Sequence, residues 1–527
     1  MFELSSKHML LISLLLIFLT SLIIFVAKIS KPTTTKSKIT NLNKLPKPYP
    51  IIGHLLAFAG LTQEEIFEWL SKIISTSPTS TIVVHPPFGM PSVYTGDPAT
   101  VEHVFKTQFH KYEKGAYYKT VFGDLFGDSM FTGDGDVWKT QRQIAGLEFT
   151  HKALQNYVEK VVNTEISERL IPFLSDAAKE NKVIDLQDLL RRYAFDNVST
   201  VAFGYNPGYV TPSLPDAKLV TAFADSLMLS HERFHAIFPI IWKVCRFLNI
   251  GSEKKLKESI RILREFIKTM IKSMKENPET VNQEKMNFLS RVVNDDRFDE
   301  KLTIDMCIAF ILGGMDTSSA ALTWFFWLVH RNKHVDEEIV KEIKKVKKHG
   351  TNNSTNYSSV VEELKGMTYT HAALCEAMRL YPPGAVDIKL AATDDVLPDG
   401  TKVKKGMFVG CFIHAMGRSE KIWGKDWPEF KPERWLREEK DNTTGDTKQS
   451  FVARDACTYP VFLAGPRICL GKDMGFLQMK SVVSAVLSRF RVVPVIGDGV
   501  DPVYVPETIA KMHGGFPVRF EERVQVE

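Results

Sequence analysis

The chain has 527 residues, of which 44% are hydrophobic and 24% charged, with a formal net charge of +5. That length can bury a large core in one oversized domain, and so small a charge excludes a nucleic-acid binder with a basic stripe interleaved with aromatics. Six cysteines (Cys245, Cys307, Cys375, Cys411, Cys457 and Cys469) stand apart with no C-x-x-C pair, which excludes a dense disulfide framework and suits reduced thiols in a cytosol-facing protein.

Met9 to Ala27 carries no charge and is just long enough to cross a bilayer as a helix. It ends on Phe25-Val26-Ala27-Lys28 and runs into Lys31, Lys36, Lys38, Lys44 and Lys47, whereas only Glu3 and Lys7 precede it. The pattern predicts an uncleaved anchor over 1–28, with everything beyond it on the cytosolic side. The sequons at Asn197 and Asn442 are then expected to carry no glycan. Residues 29–50 form a basic, proline-rich linker, because Leu45-Pro46-Lys47-Pro48-Tyr49-Pro50 cannot be helical. One large body is expected from 51 to 527.

Within that body, Ile82–His85 and Ser92–Tyr94 read as short strands. Apolar residues at helical spacing predict helices over 138–148, 155–174, 253–275 and 303–330. Lys348 to Ser359 is polar and expected to be a surface loop. After Pro382-Pro383 the chain becomes strand- and loop-rich to about 460, and a last helix is expected over 471–489. Helices segregated from small sheets make the fold class α+β, mainly α-helical.

Four segments carry chemistry. Trp138 and Arg142, four apart, share a helical face. Gly313-Gly314-Met315-Asp316-Thr317-Ser318 puts two glycines inside a helix, a cost that wants a reason. Glu376 and Arg379, three apart, can pair, although E-x-x-R is common by composition. The fourth, Phe462-Leu463-Ala464-Gly465-Pro466-Arg467-Ile468-Cys469-Leu470-Gly471, is the strongest. Haem iron takes a single cysteine thiolate as axial ligand, and flanking glycines permit the tight loop this needs. Arg467 sets a cation where a haem propionate would lie. A phosphate-loop reading fails, because Asp473 follows Lys472 where Ser or Thr is required. By average residue usage the pattern F-x-x-G-x-R-x-C-x-G arises on the order of once in ten thousand chains this long, so a plain core cysteine is the weaker reading. Cys411-x-x-His414 offers two potential ligands, too few for a metal site.

With these segments in this order, the whole chain after the anchor resembles the cytochrome P450 family. The resemblance implies that fold, with a small β-rich lobe, and makes 51–527 a haem-thiolate catalytic domain. It implies haem b, with Cys469 as the iron's thiolate and Phe462, Arg467 and Gly471 shaping the loop. Trp138 and Arg142 are implied as propionate contacts, with Lys389 a weaker third. Thr317 is implied as the hydroxyl beside the oxygen being split, and Asp316 as the relay for protons from solvent. Glu376, Arg379 and Arg434, the last in Phe430-Lys431-Pro432-Glu433-Arg434-Trp435, are implied as a structural triad beneath the haem.

The family inserts one atom of O₂ into a C–H bond. The chain has no G-x-G-x-x-G fingerprint, so the resemblance implies electrons from a separate NADPH-dependent flavoprotein reductase on the endoplasmic reticulum membrane. Leu125-Phe126-Gly127-Asp128, Asp134-Gly135-Asp136-Val137-Trp138, Asp185-Leu186-Gln187-Asp188, Ala415-Met416-Gly417-Arg418 and Gly471-Lys472-Asp473-Met474 resemble the plant fatty-acid ω-hydroxylase group. That implies oxidation at or near the end of an aliphatic chain. Gly313, Met315 and Gly384-Ala385 depart from the group and point to a reshaped cavity; Phe122, Phe126, Phe310, Ile311 and Leu312 could line it, with plain packing the first reading of each. A hydroxylase of a specialised plant metabolite is therefore the second reading. A haem-thiolate isomerase working without a reductase is a third, against which Asp316-Thr317 stands. A non-enzymatic haem sensor is the last.

Overall fold

The computed structural model describes residues 44–276, 287–352, 360–440, 447–497 and 499–523. The expected anchor over 1–28, most of the linker and the Asn442 sequon lie outside these residues. The helices that matter here are α1 (Gln63–Thr76), α2 (Gly115–Phe126), α3 (Gly135–Ala145), α4 (Leu186–Phe203), α5 (Lys218–His235) and α6 (Pro239–Leu248). They continue with α7 (Gly251–Glu276), α8 (Glu300–Arg331), α9 (Lys333–Asn352), α10 (Thr368–Leu380) and α11 (Lys472–Leu487). The main strands are β1 (Thr81–Val84), β2 (Ser92–Thr95), β3 (Tyr112–Glu113), β4 (Ile184–Asp185), β5 (Asp387–Ala391), β6 (Phe408–Cys411), β7 (Phe490–Pro494) and β8 (Pro517–Glu522).

Local sequence explains where several of these begin. Thr62 and Glu65 form a reciprocal capping box that starts α1. Asp185 and Asp299 accept backbone N–H groups as N-caps of α4 and α8. The five-stranded sheet runs β1-β2-β6-β5-β3, antiparallel except between β2 and β6, and a second sheet runs β7-β8-β4. Helices dominate and the sheets are small, as the sequence predicts.

Helix α8 organises the molecule. It packs along α4, α10 and α11. Its first half, from Ile304 to Met315, joins one apolar core with α2, α4, α5 and α7. Its second half, from Ala321 to Val329, joins a larger core with α9, α10 and α11. The glycines and Thr317 sit where the two cores meet. By length and composition α8 suits a membrane span, but 78% of its most apolar window is buried in protein, so it is a core helix.

One expectation changes, one is extended and one gains a second ground. Residues 348–352 of the supposed loop continue α9, which carries the apolar spacing of Val335, Ile339 and Ile343 on by backbone geometry; 353–359 lie outside the described residues. Segment 155–174 belongs to a longer helical run over 151–179, interrupted by π turns at Tyr157–Val162 and Ile166–Leu170. Asn197 is fully buried in α4 and donates to the Tyr193 carbonyl at 2.7 Å, so burial alone keeps it from being modified.

Candidate active site

The Cys469 loop is shaped by two left-handed residues. Leu463 has φ 61° and Gly465 φ 65°. A Cβ on Gly465 would lie 1.9 Å from the Phe105 carbonyl oxygen, so only glycine fits. The Cys469 N–H closes the loop onto the Phe462 carbonyl at 2.8 Å. Gly471 then turns the chain into α11, and its N–H points at the sulfur. Of the six cysteines, Cys469 alone is exposed; four are buried and Cys245 is intermediate. Neighbouring protein atoms nonetheless desolvate the sulfur, which pushes the thiol up. The Gly471 N–H, Arg142 and Lys472 pull it back toward the thiolate.

A cationic cradle flanks the loop. Arg467 is buried; its Nη2 donates to Asp134 Oδ1 at 2.7 Å and to the Gly133 carbonyl at 2.9 Å. Its guanidinium lies 4.6 Å from the Trp138 ring centre, and Arg142 stacks on the same ring at 5.8 Å while donating to the Ile468 carbonyl at 2.6 Å. Asp134, just ahead of α3, makes no cap there. Its oxygens accept instead from the backbone of Lys114 and Gly115, each at 3.0 Å.

Lys114, which sequence reasoning missed, is buried and donates to Asp387 at 2.8 Å. Burial opposes its charge and Asp387 outweighs the burial, so its pKa is raised. Lys389, on the other side of that carboxylate, is pushed down to about 7 by burial, which Asp387 only partly offsets. Its Nζ lies 3.0 Å from Asp387 Oδ2, off the line that a hydrogen bond requires, so neither atom is satisfied by one.

These atoms fit haem b. Among them, four basic side chains (Arg142, Arg467, Lys114, Lys389) face two carboxylates (Asp134, Asp387), an excess of basic groups that the two propionates of the porphyrin would offset. Arg467 Nε and Lys389 Nζ are buried with no hydrogen-bond partner in the protein. An excess of basic groups and two orphaned donors beside an open sulfur suit a dianionic, thiolate-ligated ring.

The opposite wall comes from α8. Residues 303–329 are buried except for Phe310, Gly313, Gly314 and Thr317, which recur at helical spacing and so share one face. A Cβ on Gly313 would meet only Phe131 Cζ, at 3.7 Å, whereas one on Gly314 would meet Val198 Cγ2 at 2.8 Å. Phe149 ties this face to the Cys469 loop: its ring is 6.0 Å from that of Phe310 and 3.6 Å from where a Gly471 Cβ would stand. Thr317 Oγ1 donates to the Gly313 carbonyl at 2.7 Å. Asp316 is buried and accepts from Arg191 Nε on α4 at 2.9 Å. Arg191 had no sequence signal: 125 residues separate it from its partner.

One expectation about the pocket fails. Met315 is 0% exposed and packs into the core, because two residues along a helix from Gly313 turns it to the far side; it does not shape the cavity. Ile311, Leu312, Phe122 and Phe126 are core residues, as the packing reading has it, and only Phe310 of that run reaches the open face. Gly384 has open space where its Cβ would be, while Ala385 is buried.

Beneath the loop, Glu376 on α10 is fully buried. It accepts from Arg379 Nε at 2.8 Å and Nη2 at 2.7 Å, from Arg434 Nε at 3.2 Å and from Trp435 Nε1 at 2.9 Å. Tyr459 Oη donates to the Cys375 carbonyl at 2.8 Å, fastening the start of the Cys469 segment to α10. Cys411 and His414 are buried core residues, and the described residues hold no cluster of three metal-ligating side chains.

A family model described as Cytochrome P450 matches residues 44–516. The chain is 48% identical over 498 residues to Cytochrome P450 94A2 of Vicia sativa, covering 94% of each chain. It is 40% identical over 513 residues to Cytochrome P450 94B1 of Arabidopsis thaliana (97% of this chain, 98% of the other). It is 38% identical over 462 residues to Cytochrome P450 CYP94D108 of Paris polyphylla (87% and 88%).

Proposed function

The chain belongs to the cytochrome P450 family of monooxygenases, and from that premise we propose that it hydroxylates the terminal or near-terminal carbon of a fatty acid or related lipid. When bound, a thiolate-ligated haem supplies the oxidising chemistry: with two electrons and two protons, one atom of O₂ enters the C–H bond and the other leaves as water. Cys469 would hold the iron, and Arg467, Arg142, Trp138, Lys114 and Lys389 would hold the propionates. Phe462 and Gly471 shape the loop around the sulfur. Thr317 presents its hydroxyl at the open face of α8. Asp316 moves protons to that face when its Oδ1 leaves Arg191 Nε. Glu376, Arg379 and Arg434 hold α10 rigid beneath the loop, and breaking so buried a set is costly. Electrons come from a separate NADPH-dependent flavoprotein.

The observation that carries the reading is the open face of α8 opposite Cys469, floored by glycine and walled by Phe131, Phe149 and Phe310. Such a wall suits an aliphatic substrate. Attachment to the endoplasmic reticulum membrane, expected from the anchor, is supported by α6, whose Ile240, Ile241, Val244, Leu248 and 88%-exposed Phe247 point outward. The added room at Gly313 and Gly384 favours a second reading, a bulkier specialised metabolite.

Membranes holding the chain and a plant reductase separate the two. Supplied with NADPH, fatty acids of several lengths, a jasmonate conjugate and a sterol, they are expected to yield end-hydroxylated fatty acid by mass spectrometry. Turnover of the conjugate or the sterol alone selects the second reading.

A further inference from the structure

Two carboxyl groups that the mechanism does not use are buried against each other. Glu165, on the helical run over 151–179, is 1% exposed, and Asp196, on α4, is 0% exposed. Their side chains lie within hydrogen-bond reach of each other. Each has one oxygen engaged elsewhere. Asn206 Nδ2 donates to Glu165 Oε2 at 2.8 Å, and the Val210 N–H donates to Asp196 Oδ2 at 3.1 Å. The other two oxygens, Glu165 Oε1 and Asp196 Oδ1, are buried with no hydrogen-bond partner among the described residues. An ionised carboxylate can only accept, so two of them cannot satisfy each other. A proton on either one supplies the missing donor.

The charge balance points the same way. Among the described residues, one cation serves both groups. Arg169 Nη1 is 3.6 Å from Glu165 Oε2 and 4.0 Å from Asp196 Oδ2, and it donates to Asn206 Oδ1 at 2.8 Å. The other titratable groups facing the pair are Glu168 on the same run, Tyr193 on α4 with Tyr157 beyond it, and Tyr209 on the segment after α4; none is a cation. One guanidinium against two buried carboxylates leaves a negative charge unpaired, and a buried group in that position takes up a proton. In keeping with this, burial and then the adjacent Glu165 push the Asp196 carboxyl up to about 7, and burial raises Glu165 as well.

We propose that Glu165 and Asp196 share one proton and form a pH-sensitive latch that holds the 151–179 run to α4. Loss of that proton leaves two like charges around a single guanidinium, and the joint loosens. The latch bears on the active site through α4. Asp196 lies between Arg191, which pairs with Asp316, and Val198, which abuts Gly314. A carboxyl whose folded pKa is raised contributes stability that is present in full below its ordinary value of about 4 and is lost as pH rises toward about 7.

The test uses the full-length haem-loaded enzyme and the variants Asp196→Asn and Glu165→Gln, whose amides carry a permanent donor in place of the shared proton. Infrared difference spectra between about pH 5.5 and about pH 8.5 should show the carbonyl band of a protonated carboxylic acid vanishing in wild type, and that band should be missing from either variant. The unfolding equilibrium in denaturant should shift against wild type, relative to Asp196→Asn, by up to about tenfold per pH unit between pH 5 and pH 7, and then run parallel to it. Glu165→Gln should behave alike and reads the same proton if the Asn variant does not fold. Amide hydrogen exchange along α4 at about pH 8.5 should be faster in wild type than in the variants. A band that neither substitution removes, or one pH dependence common to all three proteins, overturns the shared proton. Equal exchange along α4 overturns the latch.

Discussion

Cysteines 307, 375 and 457 are buried thiols whose pKa values desolvation drives up, the latter two to about 12 and about 11, so they stay protonated and inert. Cys469 alone is open while a backbone N–H and two cations favour its thiolate. Replacing Cys469 with Ala should abolish the thiolate-type spectrum of the reduced carbon-monoxide complex; a thiolate-type spectrum in the variant would refute the ligand assignment. A second single-residue effect belongs to His371. Its ring lies 4.1 Å from that of Phe476, which in turn lies 5.2 Å from that of Phe462. Burial, helped by Lys480 and Lys472, lowers its pKa to about 3. The unfolded chain therefore binds a proton at this site below about pH 6.5 that the folded chain refuses, and stability falls as pH drops from there toward 3. Denaturant midpoints at pH 7 and pH 5 should differ less in His371→Phe than in wild type. Equal differences would mean that the ring is not desolvated.

At the scale of elements, α8 shows what a linear motif reveals and what it hides. That two glycines precede Asp316-Thr317 was legible, as was their cost. Which of them faces the pocket was not, because that depends on what packs against each side. Gly314 abuts Val198 of α4, a stiff β-branched side chain, whereas Gly313 opens on space. Gly314→Ala should therefore cost about 1–3 kcal/mol in unfolding experiments, relieved by Val198→Ala. Gly313→Ala should gain about 0.5–1 kcal/mol and lower turnover by filling the cavity. Equal effects at the two sites would contradict the assigned faces. Helix α10 and the Cys469 loop were legible because their motifs are local. The cradle was legible only in part. Arg467 and Asp134 lie 333 residues apart, Lys114 and Asp387 lie 273 apart, and no local pattern marks Lys114 or Arg191 as partners.

For the whole molecule, helical periodicity placed α7, α8 and α11 within a few residues and gave the α+β class, but set no bounds for α4, α5 or α9. The two-core division across α8, which creates the site, comes from long-range packing that periodicity does not encode. Around that junction a thiolate-bearing loop, a cationic cradle and an open helix face are assembled from nearly the full length of the chain. The most direct measurement is turnover of a saturated fatty acid under isotopically labelled ¹⁸O₂ with NADPH and reductase. One labelled oxygen at the end of the aliphatic chain, with the other in water, is the expected result. A product without label, or oxygen placed mid-chain, would contradict it.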